Sequence, residues 1–371
     1  MRVLAINAYH GGSHREFLMQ WISHSVHDFT TLTLPARHWK WRMQHAAVTL
    51  ALEVRKRIEA GERWDAIFVT DMFDLPAFLG LIPAATAALP RIVYFHENQW
   101  TYPLPQGETR DLTYGFINLK SALAADSLWF NSDFHQQEFF QASRDFLQRM
   151  PDYAFNAALE ECVQQAAVIS PGIQKKEMTA RSDQKRSLQL LWVARWEYDK
   201  NPEQFCDAIR MLDRAGVDFR LSVLGQSTPE IPDCFISLHT EYADRIDHWG
   251  FLEDRSEYQR VLAHADLVIS TAIHEFFGIS ILEAVEAGCL PVLPSRLAYP
   301  EIFAETPECF YDGSTESLVA RIEALSQSTQ PDSTDADLRD RLGKITARYH
   351  WEQISRELDT GLDLSRNRCS R

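Results

Sequence analysis

LQLLWVARWEYDKN (188–201) is the stretch on which the fold turns. An apolar run of strand length stops at a short polar turn, and Pro202 opens a helical pattern, PEQFCDAIRMLDRAG, that closes at Gly216. Proline at the first helical position and glycine just past the last are the expected helix punctuation. The same order of strand, turn and helix recurs on both sides. DFRLSVLG, IDHWGFL with the helix RSEYQRVLAHA, DLVISTA (266–272) and LPVLP (290–294) follow it, while RVLAINAY (2–9), AIFVT (66–70), RIVYFHE (91–97), SLWFNS (127–132) and AAVISPGI (166–173) come before. Between RVLAINAY and the helix REFLMQWISHSV, GGSH reads as a turn, and Ser132 or Asp133 is suited to cap the helix after SLWFNS. Strands that alternate with helices predict parallel βαβ units. The polar, aperiodic QKKEMTARSDQKRS (174–187) reads as a linker and SQSTQPDSTDAD (326–337) as a polar loop. The expectation is an α/β protein of two Rossmann-like domains, 1–173 and 188–371, with parallel sheets facing a central cleft and the C-terminal helix free to pack back on the first domain. Ligands in such sheets sit at the carboxyl ends of the strands.

Composition narrows the function. At 371 residues, 45% hydrophobic and 24% charged, the chain has material for about two cores. No stretch approaches the roughly 18 apolar residues of a membrane span, and MRVLAINAY lacks the features of a signal peptide, so a cytoplasmic location without membrane partners is expected. The six cysteines are dispersed, without C-x-x-C spacing, and read as reduced thiols. A formal charge of −15 argues against indiscriminate polyanion binding, so a nucleic-acid partner requires a local basic patch. One exists: from Phe29 to Leu52 there is no acidic residue, and Arg37, Lys40 and Arg42 interleave with His38, Trp39 and Trp41. Such a stretch either pairs phosphates and stacks splayed bases, or is an aromatic helix entry with solvated basic residues.

HEFFGISILEAVEAGCLPVLP (274–294) supplies the candidate chemistry. A helix beginning near Phe277 or Gly278 leaves Glu275 in the loop before it and puts Glu283 in its second turn. The helix N-terminus suits a phosphate, Gly278 lets a ligand approach the backbone, and Glu275 is left for neutral hydroxyls. Glu283, on an otherwise apolar helix, needs a donor, which is either a ribose diol or a structural partner. Arg195 and Lys200 follow a buried strand; a fork of donors and a compact charge suit a pyrophosphate, although an isolated basic pair is also common in a solvated loop. No metal site is expected, because HEFFG lacks the second histidine of H-E-x-x-H and no D-x-D stands in a suitable loop. GGSH is not the G-x-G-x-x-G of a dinucleotide oxidoreductase.

R-x4-K followed by E-x7-E resembles the retaining GT-B glycosyltransferases of family 4. The resemblance implies that Arg195 and Lys200 bind the nucleotide diphosphate, that Glu275 binds sugar hydroxyls and that Glu283 binds the ribose. It further implies donor contacts from Phe276, Phe277 and Gly278, and base packing around Trp249, Gly250 and Phe251, where ordinary core is the competing reading. His96, at the end of RIVYFHE, matches the family's histidine near the transferred sugar and joins Glu275, Arg195 and Lys200 as a catalytic candidate, while Gly11, Gly12, Ser13 and His14 match the glycine-rich loop on the acceptor side.

AYHGGSH (8–14), LPARHWKWRMQHAA (34–47), VTDMFDLPAFLGLIP (69–83), YFHENQWTYP (94–103) and NSDFH (131–135) are together similar to the tRNA-queuosine mannosyltransferase group. That similarity implies transfer of mannose from GDP-mannose to queuosine in the anticodon loop of tRNA-Asp; separately, no prosthetic group or metal and a monomeric state are expected. It puts Arg37, Trp39, Lys40, Trp41, Arg42 and Asn98 on the acceptor side. No pair of carboxylates spaced for a double displacement is apparent, so same-face attack is expected, with the departing phosphate taking the proton. The alternatives are a relative using another nucleotide sugar or a lipid or glycan acceptor, and a non-catalytic module binding nucleotide sugar or tRNA.

Overall fold

The computed structural model describes residues 1–104, 107–176, 187–226, 231–328 and 336–369. Most of the expected linker (174–187) and of the expected polar loop (326–337) lies outside them. The chain packs as two units, Met1–Gly172 with the segment from Trp351, and Ile173–His350.

The first unit carries strands β1 (Arg2–His10), β2 (Asp28–Pro35), β3 (Ala66–Thr70), β4 (Arg91–Phe95), β5 (Ser127–Phe130) and β6 (Ala166–Val168), all parallel, in the order β2-β1-β3-β4-β5-β6. Its helices are α1 (Gly12–His24), α2 (Trp39–Glu59), α3 (Leu75–Leu81), α4 (Ala84–Ala87), α5 (Leu112–Ala124), α6 (Asp133–Gln148) and α7 (Asn156–Gln165). β1 shows why helices are needed on both faces. Leu4 and Ile6 enter one core, and Val3 and Ala5 enter the other, as a period of two dictates.

The second unit repeats the plan. Strands β7 (Leu188–Val193), β8 (Phe219–Leu224), β9 (Ile246–Gly250), β10 (Leu267–Ile269), β11 (Leu290–Pro294) and β12 (Phe310–Tyr311) form a parallel sheet in the order β12-β11-β10-β7-β8-β9. Helices α8 (Pro202–Arg214), α9 (Asp233–Glu241), α10 (Arg255–His264), α11 (Ile279–Glu286), α12 (Tyr299–Ile302), α13 (Thr315–Ser328) and α14 (Ala336–Ala347) flank it.

The last helix, α15 (Trp351–Cys369), belongs to the first unit. Trp351, Ile354, Leu358 and Leu362 form its buried stripe and, with Phe17 and Trp21 of α1, cover the Val3 face of the first sheet. Each such buried side chain contributes about 1.5–3 kcal/mol. Asp359 fixes the register, accepting hydrogen bonds from Trp21 Nε1 (2.9 Å), Ser25 Oγ (2.7 Å) and the Val26 N–H (2.9 Å).

Two local expectations are corrected, and one strand was not expected. α1 begins at Gly12, inside the expected turn, and Gly12 itself takes a left-handed φ of +50°, which glycine tolerates. AAVISPGI is a strand only over Ala166–Val168. β2, half exposed at the sheet edge, carries too weak an apolar alternation to stand out in the sequence.

Candidate active site

In the second unit, two loops meet at the carboxyl ends of β7 and β10. Beyond β7 the chain passes Arg195 and a 3-10 turn, Tyr198–Lys200, into α8, whose first turn follows Asn201 in a left-handed conformation. Lys200 draws the second loop to the first. Its Nζ donates to the His274 carbonyl (2.8 Å) and pairs with Asp199 Oδ2 (3.0 Å) and Glu275 Oε2 (3.3 Å), while its own carbonyl accepts from Thr271 Oγ1 (2.7 Å). The N–H groups of Ile273 and His274 donate to the Asp199 carbonyl. Lys200, Glu275, Thr271, Ser280 and Tyr299 line a small pocket there.

Burial alone disfavours the Lys200 ammonium, but Glu275 and then Asp199 outweigh it and raise its pKa. Burial likewise opposes the Glu275 carboxylate, whereas Lys200 and His274 hold its pKa below the usual range. His274 is lowered to about 4 by burial and by Lys200, so its ring is neutral at pH 7. The outcome is a charged cluster within the protein. Arg195, half exposed and paired with Glu197 at 3.3 Å, adds a second cation.

α11 starts where the sequence places it, with Gly278 as its N-cap and no side-chain cap. Only glycine suits this position, because φ is +92° and a Cβ would come within 2.8 Å of the Tyr299 ring. The first N–H groups of a helix lack intrahelical partners, so this end is suited to an anion. Phe276 and Phe277 are buried, so what they offer a ligand is backbone, and the Phe277 N–H already leans on Glu275 Oε1 (3.4 Å). Glu283 accepts from Arg255 and from the Tyr258 hydroxyl (2.9 Å), both on α10, so the donor it needs is present in the protein itself. Trp249, partly buried, packs among Trp196, Phe235 and His239. Phe251, just past Gly250 at φ +102°, is 63% exposed.

In the first unit, His96 directly follows β4, its ring 4.2 Å from that of buried His14, near the start of α1. Gly11 packs against Ala36, where a Cβ would meet that methyl at 2.5 Å, and Ser13 is exposed. Asn98 is corrected. It is fully buried and its Oδ1 accepts the N–H groups of Trp100 (3.0 Å) and Thr101 (3.1 Å), holding a turn. Arg42 is expected on the acceptor side too. It is 8% exposed, with Nε donating to the Pro35 carbonyl (3.1 Å) and Nη1 bonded to His45 (2.8 Å), and so anchors the entry to α2. Arg37, Lys40 and Trp41 remain exposed, while Trp39 packs on Tyr114 with Lys40 over its ring. Sequence reasoning missed Asp71 and Asn131, which bracket His96; lying inside quoted motifs, they carried no spacing of their own.

The family model described as tRNA-queuosine alpha-mannosyltransferase N-terminal matches residues 2–173, and that of glycosyl transferases group 1 matches 174–348. A tRNA-queuosine alpha-mannosyltransferase of Drosophila melanogaster is 36% identical over 314 residues, 81% of either chain. The chain belongs to the tRNA-queuosine alpha-mannosyltransferase family. Its members are glycosyltransferases, and this chain has their fold, GT-B. A GDP-mannose-dependent alpha-(1-6)-phosphatidylinositol dimannoside mannosyltransferase of Mycobacterium tuberculosis is 27% identical over 137 residues, 37% of this chain and 35% of that one. Among solved structures, Anabaena HepE in complex with UDP and glucose superposes with a TM-score of 0.68 at 16% identity, covering 98% of this chain and all of that one. Sucrose-phosphate synthase from Thermosynechococcus elongatus gives 0.73 at 15%, covering all of both chains. These last two speak for the fold alone.

Proposed function

We propose that this glycosyltransferase moves mannose from GDP-mannose to queuosine in the anticodon loop of tRNA-Asp, with retention of configuration, as a cytoplasmic monomer that needs no metal or prosthetic group. The observation that carries the reading is the 36% identity to the Drosophila enzyme over four-fifths of both chains. The Mycobacterium relative's dependence on GDP-mannose supports the choice of donor. In this reading the C-terminal unit takes the donor. Arg195, Lys200 and the N-terminus of α11 receive the diphosphate, Glu275 the sugar hydroxyls and Glu283 the ribose, for which it exchanges or shares its bond to Arg255.

The bond from the anomeric carbon to the phosphate oxygen breaks, and charge grows on that oxygen beside Lys200 and Arg195, a stabilisation that strengthens as the reaction proceeds. The acceptor hydroxyl forms the new bond on the same face and gives its proton to the departing phosphate. Two cations and a helix end supply the positive charge, which is the argument for a reaction without metal. The exposed Arg37, Lys40 and Trp41 suit phosphates and an unstacked base of an RNA loop, giving a net-acidic protein a local basic patch.

The test is incubation of the protein with GDP-mannose and queuosine-containing tRNA, with and without a chelator, followed by nucleoside mass analysis. A mass gain of one hexose on queuosine in both samples is expected. No gain with GDP-mannose but a gain with another nucleotide sugar changes the donor; activity lost in chelator and restored by a divalent ion refutes the metal-free reaction.

A further inference from the structure

His96 is gripped from both neighbouring strands. Its N–H donates to Asp71 Oδ1 at 3.0 Å, and its carbonyl accepts from Asn131 Nδ2 at 2.9 Å. Asp71 is the first residue after β3 and Asn131 the first after β5, the strands on either side of β4. The grips are braced in turn. Asn118 Nδ2 donates to the Asp71 carbonyl (2.8 Å), and Asn131 Oδ1 bonds His135 Nδ1 (2.8 Å). The His96 ring lies against His14, Tyr94 and Phe17, with centroids at 4.2, 4.7 and 4.9 Å. Its Nε2 is buried and has no hydrogen-bond partner among the described residues.

Asp71 is 1% exposed and has no cationic partner among the described residues. Burial, then the nearby Glu97 carboxyl, push its pKa well above the usual carboxylate range, and it acts on His96 through a hydrogen bond. The ring of His96 is kept neutral by burial and by His14 and His135. A fixed, neutral and partly exposed imidazole at the carboxyl end of a central strand, its buried Nε2 still without a partner among the described residues, stands where these sheets take ligands.

We propose that Asp71 is a positioning residue of the transfer, holding His96 so that its ring nitrogen meets the accepting hydroxyl. What the hydroxyl receives rests on the function proposed above; what Asp71 does to His96 rests on the geometry of this unit. Asp71 exchanges no proton with substrate. The hydroxyl is held by the imidazole through a hydrogen bond, and its proton leaves with the phosphate oxygen as before.

The experiment compares Asp71→Ala, Asp71→Asn, His96→Ala and the Asp71→Ala/His96→Ala double variant of the full chain. Asp71→Ser replaces Asp71→Ala should that variant not fold. Asp71→Ala is expected to lower kcat by about ten- to a hundredfold, the cost of misplacing a reacting geometry by about an ångström, with the KM for GDP-mannose nearly unchanged. Asp71→Asn recovers the larger part, since an amide oxygen accepts the same N–H. The double variant is no slower than His96→Ala, because residues acting through one another are not additive. Full activity in Asp71→Ala, an Asp71→Asn as slow as Asp71→Ala, or a double variant losing both factors overturns the proposal. Histidine-labelled NMR spectra provide a readout without acceptor: the His96 ring signal, assigned from its loss in His96→Ala, moves in Asp71→Ala and stays near its place in Asp71→Asn. If the parent enzyme transfers nothing to queuosine tRNA, the reading of function fails, and an unmoved His96 signal in Asp71→Ala separately overturns the role of Asp71.

Discussion

The carboxyl ends of the two sheets treat buried carboxyl groups in opposite ways. In the C-terminal unit, Glu275 meets Lys200 and stays ionised although burial opposes it. In the N-terminal unit, Asp71 meets a backbone N–H and another carboxyl, and burial prevails. The same topological position therefore favours the ionised carboxyl in one unit and disfavours it in the other. The difference fits the two substrates proposed, since a diphosphate calls for cations while a hydroxyl calls for uncharged hydrogen-bonding groups.

The strongest way to break this comparison is to remove the cation. Lys200→Ala leaves Asp199 and Glu275 without their shared partner, so a loss of about 3–5 kcal/mol in unfolding free energy is expected. The same change lowers kcat/KM by about 10²–10³-fold, as removal of a donor aimed at developing charge does. Arg195→Ala, half exposed and paired with Glu197, follows in the same direction by less. Urea titration and steady-state kinetics measure the two effects; near-parental values for both would show the charged cluster to be inessential.

The two glutamates of E-x7-E sharpen the comparison within one unit. Glu275→Gln should lower kcat with modest change in GDP affinity, while Glu283→Gln should weaken GDP binding about tenfold or more, the worth of one charge-assisted hydrogen bond. Calorimetric titration with GDP decides. If Glu283 serves only to hold Arg255 and Tyr258, its variant loses stability and binds GDP as the parent does.

Acid should act on the C-terminal unit through His274. Its folded pKa of about 4 lies below the unfolded 6.5, so the unfolded chain takes up the proton first and the stability due to the neutral ring, full above 6.5, is lost as pH falls towards 4. His96 acts in the same direction in the other unit. Melting curves between pH 7 and 4.5 should therefore decline, and His274→Asn should flatten part of that decline; an unchanged slope would remove His274 from the account.

The smallest effect belongs to the patch at the start of α2. Neutralising Arg37 and Lys40, with Arg42 left in place because it anchors Pro35 and His45, should weaken tRNA binding and reduce its salt slope by roughly 0.7–0.9 for each phosphate contact removed. GDP affinity should stay as it is. An unaltered salt slope would move the RNA surface elsewhere.

Much of the fold and the candidate residues of the proposed donor site were legible in the sequence because both are local. Alternating apolar strands and helices determined two parallel sheets, proline and glycine set the ends of α8, and Gly278 announced the start of α11. R-x4-K and E-x7-E named Arg195, Lys200, Glu275 and Glu283 before any geometry was known. Other features were decided by tertiary structure alone. α15 covers the first sheet although it is last in the chain, Arg42 turns inward among exposed basic neighbours, Glu283 meets Arg255, and burial raises the pKa of Asp71 beside His96. The reason is physical: residue spacing fixes which face of an element a side chain takes, but the free energy of a charge or an apolar face depends on the groups that share its desolvated space, and those come from distant parts of the chain.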